Sequence, residues 1–321
     1  ECVGLERGKE QWSATLRSSN GEERISAKVV VNAAGPWVDQ VLSTAHHDRN
    51  HSNLRLVKGS HLVFPKLFEG SHSYIFQNRD NRIVFAIPYE REYTLVGTTD
   101  VLFKDDPNLV KISDEEKTYI CDAINEYLRK DVTPDDAVWD YAGVRPLYDD
   151  HRSDNSTVTR DYVFDLDENG GAPILSIFGG KITTYRKLAE HALGKLGLAE
   201  GESWTGISSL PGGDIDPARF DHFFAASMEK YPWFGPEGVR RLCRAYGTNI
   251  DLLLGHANGV EDLGRHFGGD LYEAELRYLI EHEFARDTED VLWRRSKLGL
   301  HLDKAVQDRV AEWFDDQKAS A

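Results

Sequence analysis

Ile174-Leu-Ser-Ile-Phe-Gly-Gly-Lys-Ile-Thr-Thr-Tyr-Arg186 reads as a strand, a tight turn and the first turn of a helix. Ile174, Leu175, Ile177 and Phe178 form a short apolar run suited to a strand buried on both faces. Gly179 and Gly180 remove two Cβ atoms at the turn and allow close approach to the backbone. From Lys181 the apolar residues Ile182, Tyr185, Leu188, Ala189, Ala192, Leu193 and Leu196 recur three and four apart, the period of a helix. A helix opening on Gly-Gly-Lys offers free N–H groups, a positive dipole end and an ammonium, which suits an anion or an electron-rich cofactor edge. An ordinary strand-to-helix connection carries the same pattern.

Working outward, a second junction of this kind lies at Val29-Val-Val-Asn-Ala-Ala-Gly35, with Pro36 opening a short helix through Trp37, Val38, Val41 and Leu42. Upstream, residues 10–17 and 24–31 read as two strands joined at Asn20-Gly21. The polar residues 46–53 carry His46, His47 and His51 without acidic or cysteine partners at ligand spacing, so they read as a surface loop and not a metal site. Four or five strands follow between 54 and 103, namely Leu54–Val57, His61–Phe64, Ser73–Gln77, Ile83–Pro88 and Tyr93–Gly97. They predict an antiparallel sheet. Ser113 and Glu116 form a capping box for a helix to about Arg129, whose apolar face is expected to cover that sheet. Val138–Val144 leads to Arg145-Pro146, and Arg160–Asp167 is a further strand. Beyond Leu210-Pro-Gly-Gly213 the pattern is helical, predicting a separate all-α domain. Its aromatics, Phe220, Phe223, Phe224, Tyr231, Trp233 and Phe234, read as core.

Composition narrows the function classes. The 321 residues suffice for about two domains. A formal net charge of −16 argues against nonspecific nucleic-acid binding and against broad attraction to anionic lipid. Cys2, Cys121 and Cys243 are too scattered for a metal site or a disulfide framework, which argues for a reducing compartment. No apolar run is long enough to span a bilayer and no signal peptide is visible. The chain opens at Glu1 and enters strand-like sequence at once, so a fragment lacking its beginning is expected.

Three residues stand out for chemistry. His61 opens a strand after Lys58-Gly-Ser and could serve as a general base. Arg145 sits between a buried-looking strand and a proline, where a guanidinium needs an anion. Lys181 is the third. Each has a purely structural alternative, and Gly97-Thr-Thr-Asp100 reads as a turn or cap. Phosphate-loop, zinc and catalytic-serine motifs are missing, as is a Gly-x-Gly-x-x-Gly turn after a strand.

Taken together, Val31-Asn-Ala-Ala-Gly-Pro-Trp37, Lys58-Gly-Ser-His61, Val96-Gly-Thr-Thr-Asp100, Tyr141-Ala-Gly-Val-Arg-Pro-Leu147, Thr159-Arg-Asp-Tyr162 and Phe178-Gly-Gly-Lys-Ile-Thr-Thr-Tyr-Arg-Lys-Leu188 resemble the FAD-dependent (aerobic, respiratory) glycerol-3-phosphate dehydrogenases. Leu210-Pro-Gly-Gly213, Leu252-Leu-Leu-Gly255, Tyr272-Glu-Ala-Glu-Leu276 and Leu292-Trp-Arg-Arg295 resemble that family's helical C-terminal domain. The resemblance implies an α+β/α-β chain in three parts. Residues 1–45 and 142–198 would be part of a glutathione-reductase-like FAD-binding domain, 46–141 an antiparallel-sheet substrate (cap) domain, and 205–321 the helical domain. The family's N-terminal pyrophosphate turn and Arg-Tyr pair have no counterpart here, so the chain looks like the C-terminal two-thirds, with weak or absent FAD binding and no activity of its own expected.

The reaction implied is oxidation of sn-glycerol 3-phosphate to dihydroxyacetone phosphate, with a hydride passing to FAD and electrons to a membrane quinone. By resemblance, His61 would be the base, Arg145 and Lys181 would hold the phosphate or the developing oxygen charge, and Arg160 would be a weaker substrate contact. Ala33, Ala34, Gly35, Gly179, Gly180, Lys181, Ile182 and Thr183 would line the flavin. Location would be cytoplasmic with peripheral contact to the inner face of the membrane, and the resemblance leaves room for a homo-oligomer. The rival readings are an amine or amino-acid FAD oxidase of the same superfamily, binding a carboxylate, and a noncatalytic interaction fragment.

Overall fold

The strand Ile174–Phe178 is buried along its whole length, and the elements around it account for that. A computed structural model of the chain describes residues 1–45, 53–149 and 161–320, with side chains to 317. His46, His47, His51 and Arg160 lie outside the described residues. The chain divides into two units, Glu1–Gly206 and Ile207–Ala321.

The first unit begins with an antiparallel meander of β1 (Cys2–Arg7), β2 (Trp12–Ser18) and β3 (Gly21–Ala27). Then come β4 (Val30–Asn32) and α1 (Val38–Ala45). The sequence reads 24–31 as one strand, but the chain leaves one sheet and enters another between Ala27 and Val30. Strand periodicity alone cannot mark that change, because both pieces are extended.

The long strand β5 (Leu54–Pro65) is followed by β6 (Tyr74–Gln77), β7 (Ile83–Tyr89), β8 (Tyr93–Gly97) and β9 (Val101–Leu102). α2 (Asp114–Asn125) and β10 (Trp139–Tyr148) complete this part, and β10 runs across the 141/142 junction. The sheet order is β10-β5-β8-β7-β6, all antiparallel, with β9 also on β5. Its back face (Leu62, Phe64, Val84, Ala86 and Val96) packs on Ile120, Cys121, Ala123 and Ile124 of α2. The expected capping box is present, with Ser113 Oγ accepting from Glu116 N and Glu116 Oε2 accepting from Ser113 N.

The unit closes with β11 (Val163–Asp167), β12 (Ile174–Phe178) and α3 (Tyr185–Lys195). β12 pairs with β11 antiparallel and with β4 parallel. Ile174 and Phe178 share a core with Trp12, Val38 and Leu42, while Leu175 and Ile177 pack with Ala192 and Leu188 of α3. A strand covered on both sides needs an unbroken apolar run, as its sequence has. Trp12 Nε1 donates to Pro173 O at 2.9 Å, and Arg7 pairs with Asp167 at 3.1 Å, tying the meander to the β11–β12 hairpin.

The second unit holds α4 (Phe220–Lys230), α5 (Pro236–Tyr246) and α6 (Ile250–Leu254). A hairpin of β13 (His266–Gly268) and β14 (Leu271–Tyr272) precedes α7 (Glu273–Glu283) and α8 (Lys304–Ser320). The hairpin is an exception to the all-α expectation, turned by Gly268 and Gly269, both at positive φ. Tyr231 is buried, and Phe220, Phe223, Phe224, Trp233 and Phe234 pack against the same core. Arg241 lies against Glu275 through two bonds of 2.7 Å and against Asp270 at 2.7 Å. Tyr246 OH donates to Glu275 at 2.5 Å. This network joins α5 to α7 across the core.

Candidate functional site

In a β-strand successive side chains point to opposite faces, so Lys58-Gly-Ser-His61 splits in two. Lys58 and Ser60 turn toward α2, where both are buried against Glu116. Gly59 and His61 face the other side, opposite Gly143 and Tyr141 of β10. Val96-Gly-Thr-Thr-Asp100 divides likewise. Thr99 joins Ser60 and Glu116 behind the sheet, while Thr98 and Asp100 meet Arg145 in front.

His61 is the centre of this front face. Its ring stacks on Tyr141, with centroids 4.9 Å apart and planes 12° apart. It lies across Gly97, its ladder partner on β8, where a side chain would collide with the ring. Its Nδ1 is buried and has no hydrogen-bond partner among the described residues. Burial, followed by the nearby Arg145 guanidinium, pushes the His61 pKa down from 6.5 to about 4. Near neutral pH the ring is uncharged and able to accept a proton. Burial also pushes the neighbouring phenols up, Tyr89 to about 12.

Arg145 Nη2 donates to Thr98 Oγ1 at 3.1 Å, and Nη1 lies 3.6 Å from Asp100 Oδ1. The guanidinium side chain remains 38% exposed, so donors are left over for a ligand. Gly59 makes its room, because a Cβ there would lie 2.5 Å from Nη2 and 2.7 Å from Thr98 Oγ1. Both atoms belong to side chains that can move. Gly59→Ala is therefore expected to leave the melting temperature near wild type while displacing the guanidinium and weakening its hold on an anion; thermal unfolding beside inorganic-phosphate titration of the full-length protein checks this.

The two small-residue junctions come together. β4 and β12 are parallel neighbours in the register Ser176 to Asn32, so Ala33-Ala34-Gly35 and Gly179-Gly180-Lys181 both leave from the carboxyl ends of adjacent strands. Ligands of open α/β sheets bind in that crevice. Gly179 and Gly180 have φ of +75° and +95°. A Cβ on Gly179 would lie 3.0 Å from Asp161 O and 3.7 Å from Pro146 O. The glycine turn therefore packs beside the residue that follows Arg145. Lys181 N donates to Thr184 Oγ1 at 3.4 Å, and among the described residues Lys181 makes no ion pair. Ile182 and Thr183 begin a short 3-10 turn, with Ile182 86% exposed.

His61 and Arg145 thus meet on one face, and the Ala-Ala-Gly and Gly-Gly-Lys turns meet at one sheet end. Sequence reasoning missed Thr98, Asp100, Tyr141, Gly59 and Gly97 as parts of the site. The signal was the alternation of glycine with polar residues in Lys58–His61 and Gly97–Asp100, which marks strands that contact something on both faces. Among the described residues no cluster suited to a metal ion occurs.

The FAD dependent oxidoreductase family matches residues 1–186, and the C-terminal domain of alpha-glycerophosphate oxidase matches residues 203–318. The aerobic glycerol-3-phosphate dehydrogenase of Escherichia coli K12 is 48% identical over 294 residues, covering 90% of this chain and 58% of that protein. The D-erythritol 1-phosphate dehydrogenase of Brucella abortus is 42% identical over 319 residues, covering 98% of this chain and 64% of that protein. A crystal structure of the Bacillus halodurans glycerol-3-phosphate dehydrogenase complexed with FAD superposes with a TM-score of 0.78 at 30% identity, covering 98% of this chain and 64% of that one. The chain therefore spans about three-fifths of the length of the curated relatives it matches.

The residues present fit a flavin. Two turns of small residues lie side by side, the space around Gly35 is open, and the uncovered Ile182 offers apolar surface. The chain belongs to the FAD-dependent oxidoreductase family, whose cofactor is FAD, and is homologous over most of its length to the glycerol-3-phosphate dehydrogenases.

Proposed function

We propose that this site oxidises sn-glycerol 3-phosphate to dihydroxyacetone phosphate in the protein to which the chain belongs, with electrons passed on to a quinone. The observation that carries the reading is His61: a neutral imidazole with a buried, unpartnered Nδ1, stacked on Tyr141 and set beside a guanidinium with spare donors. Arg145 holds the phosphate or the oxygen on the reacting carbon, supported from behind by Thr98 and Asp100. Lys181, on the adjoining turn, adds a second positive charge. His61 takes the proton of the secondary hydroxyl as the carbon–hydrogen bond breaks. FAD, when bound, supplies the hydride acceptor. Ala33, Ala34, Gly35, Gly179, Gly180, Ile182 and Thr183 leave room for its ring and shield it from water.

Contact with the membrane is peripheral in this reading and takes place on its cytoplasmic face, where the quinone is reduced. Among the described residues no helix is long and apolar enough to cross a membrane.

A second substrate reading is favoured by the D-erythritol 1-phosphate dehydrogenase, 42% identical across 98% of the chain. A four-carbon polyol phosphate presents the same secondary hydroxyl and phosphate, and only the depth of the open face separates the two. The test is dye reduction by the full-length gene product with glycerol 3-phosphate, erythritol phosphate, glycerol and glycine. Turnover with glycerol 3-phosphate and not with glycerol or glycine is expected. Faster turnover with erythritol phosphate moves the substrate to the longer polyol, and turnover with glycine alone overturns the phosphate reading in favour of an amine oxidase.

A further inference from the structure

Glu116 is the third residue of α2 and closes its capping box, a role that an exposed glutamate fills equally well. This one is 5% exposed and makes three further contacts. Oε2 lies 2.7 Å from Lys58 Nζ, and Oε1 accepts from Ser60 Oγ at 2.9 Å and from Thr99 Oγ1 at 2.6 Å. Thr99 Oγ1 in turn accepts from Ser60 N at 3.0 Å, and Lys58 Nζ donates to Lys111 O at 3.0 Å. Burial pushes the Glu116 carboxyl up, but hydrogen bonds from Lys58, Thr99, the Ser113 N–H and Ser60 outweigh it and hold it below the usual range.

A buried ion pair contributes little net stability compared with apolar residues of the same volume. Its distinctive property is geometric. Ser60 lies between Gly59 and His61, and Thr99 lies between Thr98 and Asp100. One carboxylate behind the sheet therefore clamps both segments that present the reacting face in front. The contacts run through strands whose side chains alternate, so a shift of Ser60 or Thr99 away from α2 carries its two neighbours with it.

We propose that Glu116, with Lys58 as its counter-charge, is a positioning residue that sets where the His61 ring and the Thr98–Arg145 pair stand on the front face. This rests on the front face being the reacting face, as proposed above. Glu116 touches neither substrate nor flavin. It acts through Ser60 and Thr99, whose hydroxyls both donate to its Oε1.

The decisive variant is Lys58→Met/Glu116→Leu, which removes both charges together and leaves no unpaired ion to unfold the sheet. It is compared with Glu116→Gln and wild type in the full-length, FAD-loaded enzyme. Two readouts are taken: kcat and KM for glycerol 3-phosphate, and the titration of His61 by NMR. Besides the Arg145 guanidinium, the groups facing that ring are Tyr141 on β10 and, beyond it, Tyr89 on β7. The double variant is expected to fold but to melt below wild type, because the buried Ser60 and Thr99 hydroxyls lose their acceptor, while Glu116→Gln keeps an acceptor oxygen and should melt nearer wild type. Its kcat is expected to fall by about tenfold to a hundredfold as His61 is misplaced, and its KM to rise as the Thr98–Arg145 pair shifts. The His61 titration should move up from about 4 toward 6.5 as the ring gains water. A folded double variant with wild-type kcat and an unmoved His61 titration overturns the proposal. If wild type itself fails to oxidise any polyol phosphate, the functional reading falls while the His61 titration still decides the role of Glu116.

Discussion

Replacing His61 by alanine in the full-length, FAD-loaded enzyme is expected to slow flavin reduction by about 10²- to 10⁴-fold, the usual contribution of a positioned general base. Substrate affinity should change little, because the ring carries no charge at neutral pH and Arg145 stays in place. Anaerobic rapid mixing separates the two quantities, reporting the reduction rate and the dissociation constant from one concentration series. A variant that reduces its flavin at the wild-type rate would falsify the assignment of His61 as base. The pH dependence sharpens the test. With the His61 pKa at about 4 in place of 6.5, the acid limb of kcat/KM in wild type should lie near the lower value. The same depression affects stability. Between 6.5 and about 4 the unfolded chain binds a proton that the folded chain refuses, so the stabilisation is complete above 6.5 and is lost as the pH falls toward 4. His61→Ala removes this dependence.

Arg145→Gln should lower kcat/KM for the phosphate ester by about 2 kcal/mol or more, roughly thirtyfold, through loss of a charge-assisted contact. The shorter glutamine gives up the contact to Thr98 and leaves Asp100 without this cation. If the guanidinium grips the phosphate, the loss falls mainly on KM. If it stabilises charge on the reacting oxygen, the loss falls on kcat. The substitution also removes one cause of the low His61 pKa, so the acid limb should move upward together with the kinetic loss. Kinetics indistinguishable from wild type would take Arg145 out of the site.

His61 at the start of a strand and the Gly-Gly-Lys turn were legible one residue at a time, and each left a structural alternative open. The surroundings of His61 were set by pairing across strands far apart in sequence. Gly97 and Tyr141 flank it from β8 and β10, and no local pattern predicts which residues become ladder partners. Glu116 is the converse case. Its capping box was plain from Ser113 three residues earlier, but its burial against Lys58, Ser60 and Thr99 depends on α2 landing on the back of this sheet.

By itself, then, the amino-acid sequence determined the strand at Ile174–Phe178, its glycine turn, the antiparallel sheet with its covering helix and the helical second unit. Those follow from the local period of apolar residues and from the backbone freedom of glycine. The order of chains in the sheets was decided only in the folded structure. Parallel pairing of β12 with β4 brings Ala33–Gly35 beside Gly179–Lys181, and antiparallel pairing of β10 with β5 brings Arg145 near His61. Contacts of that kind join residues roughly 80 to 150 positions apart, and long-range closure is driven by burial of the whole core, not by any one segment's preference.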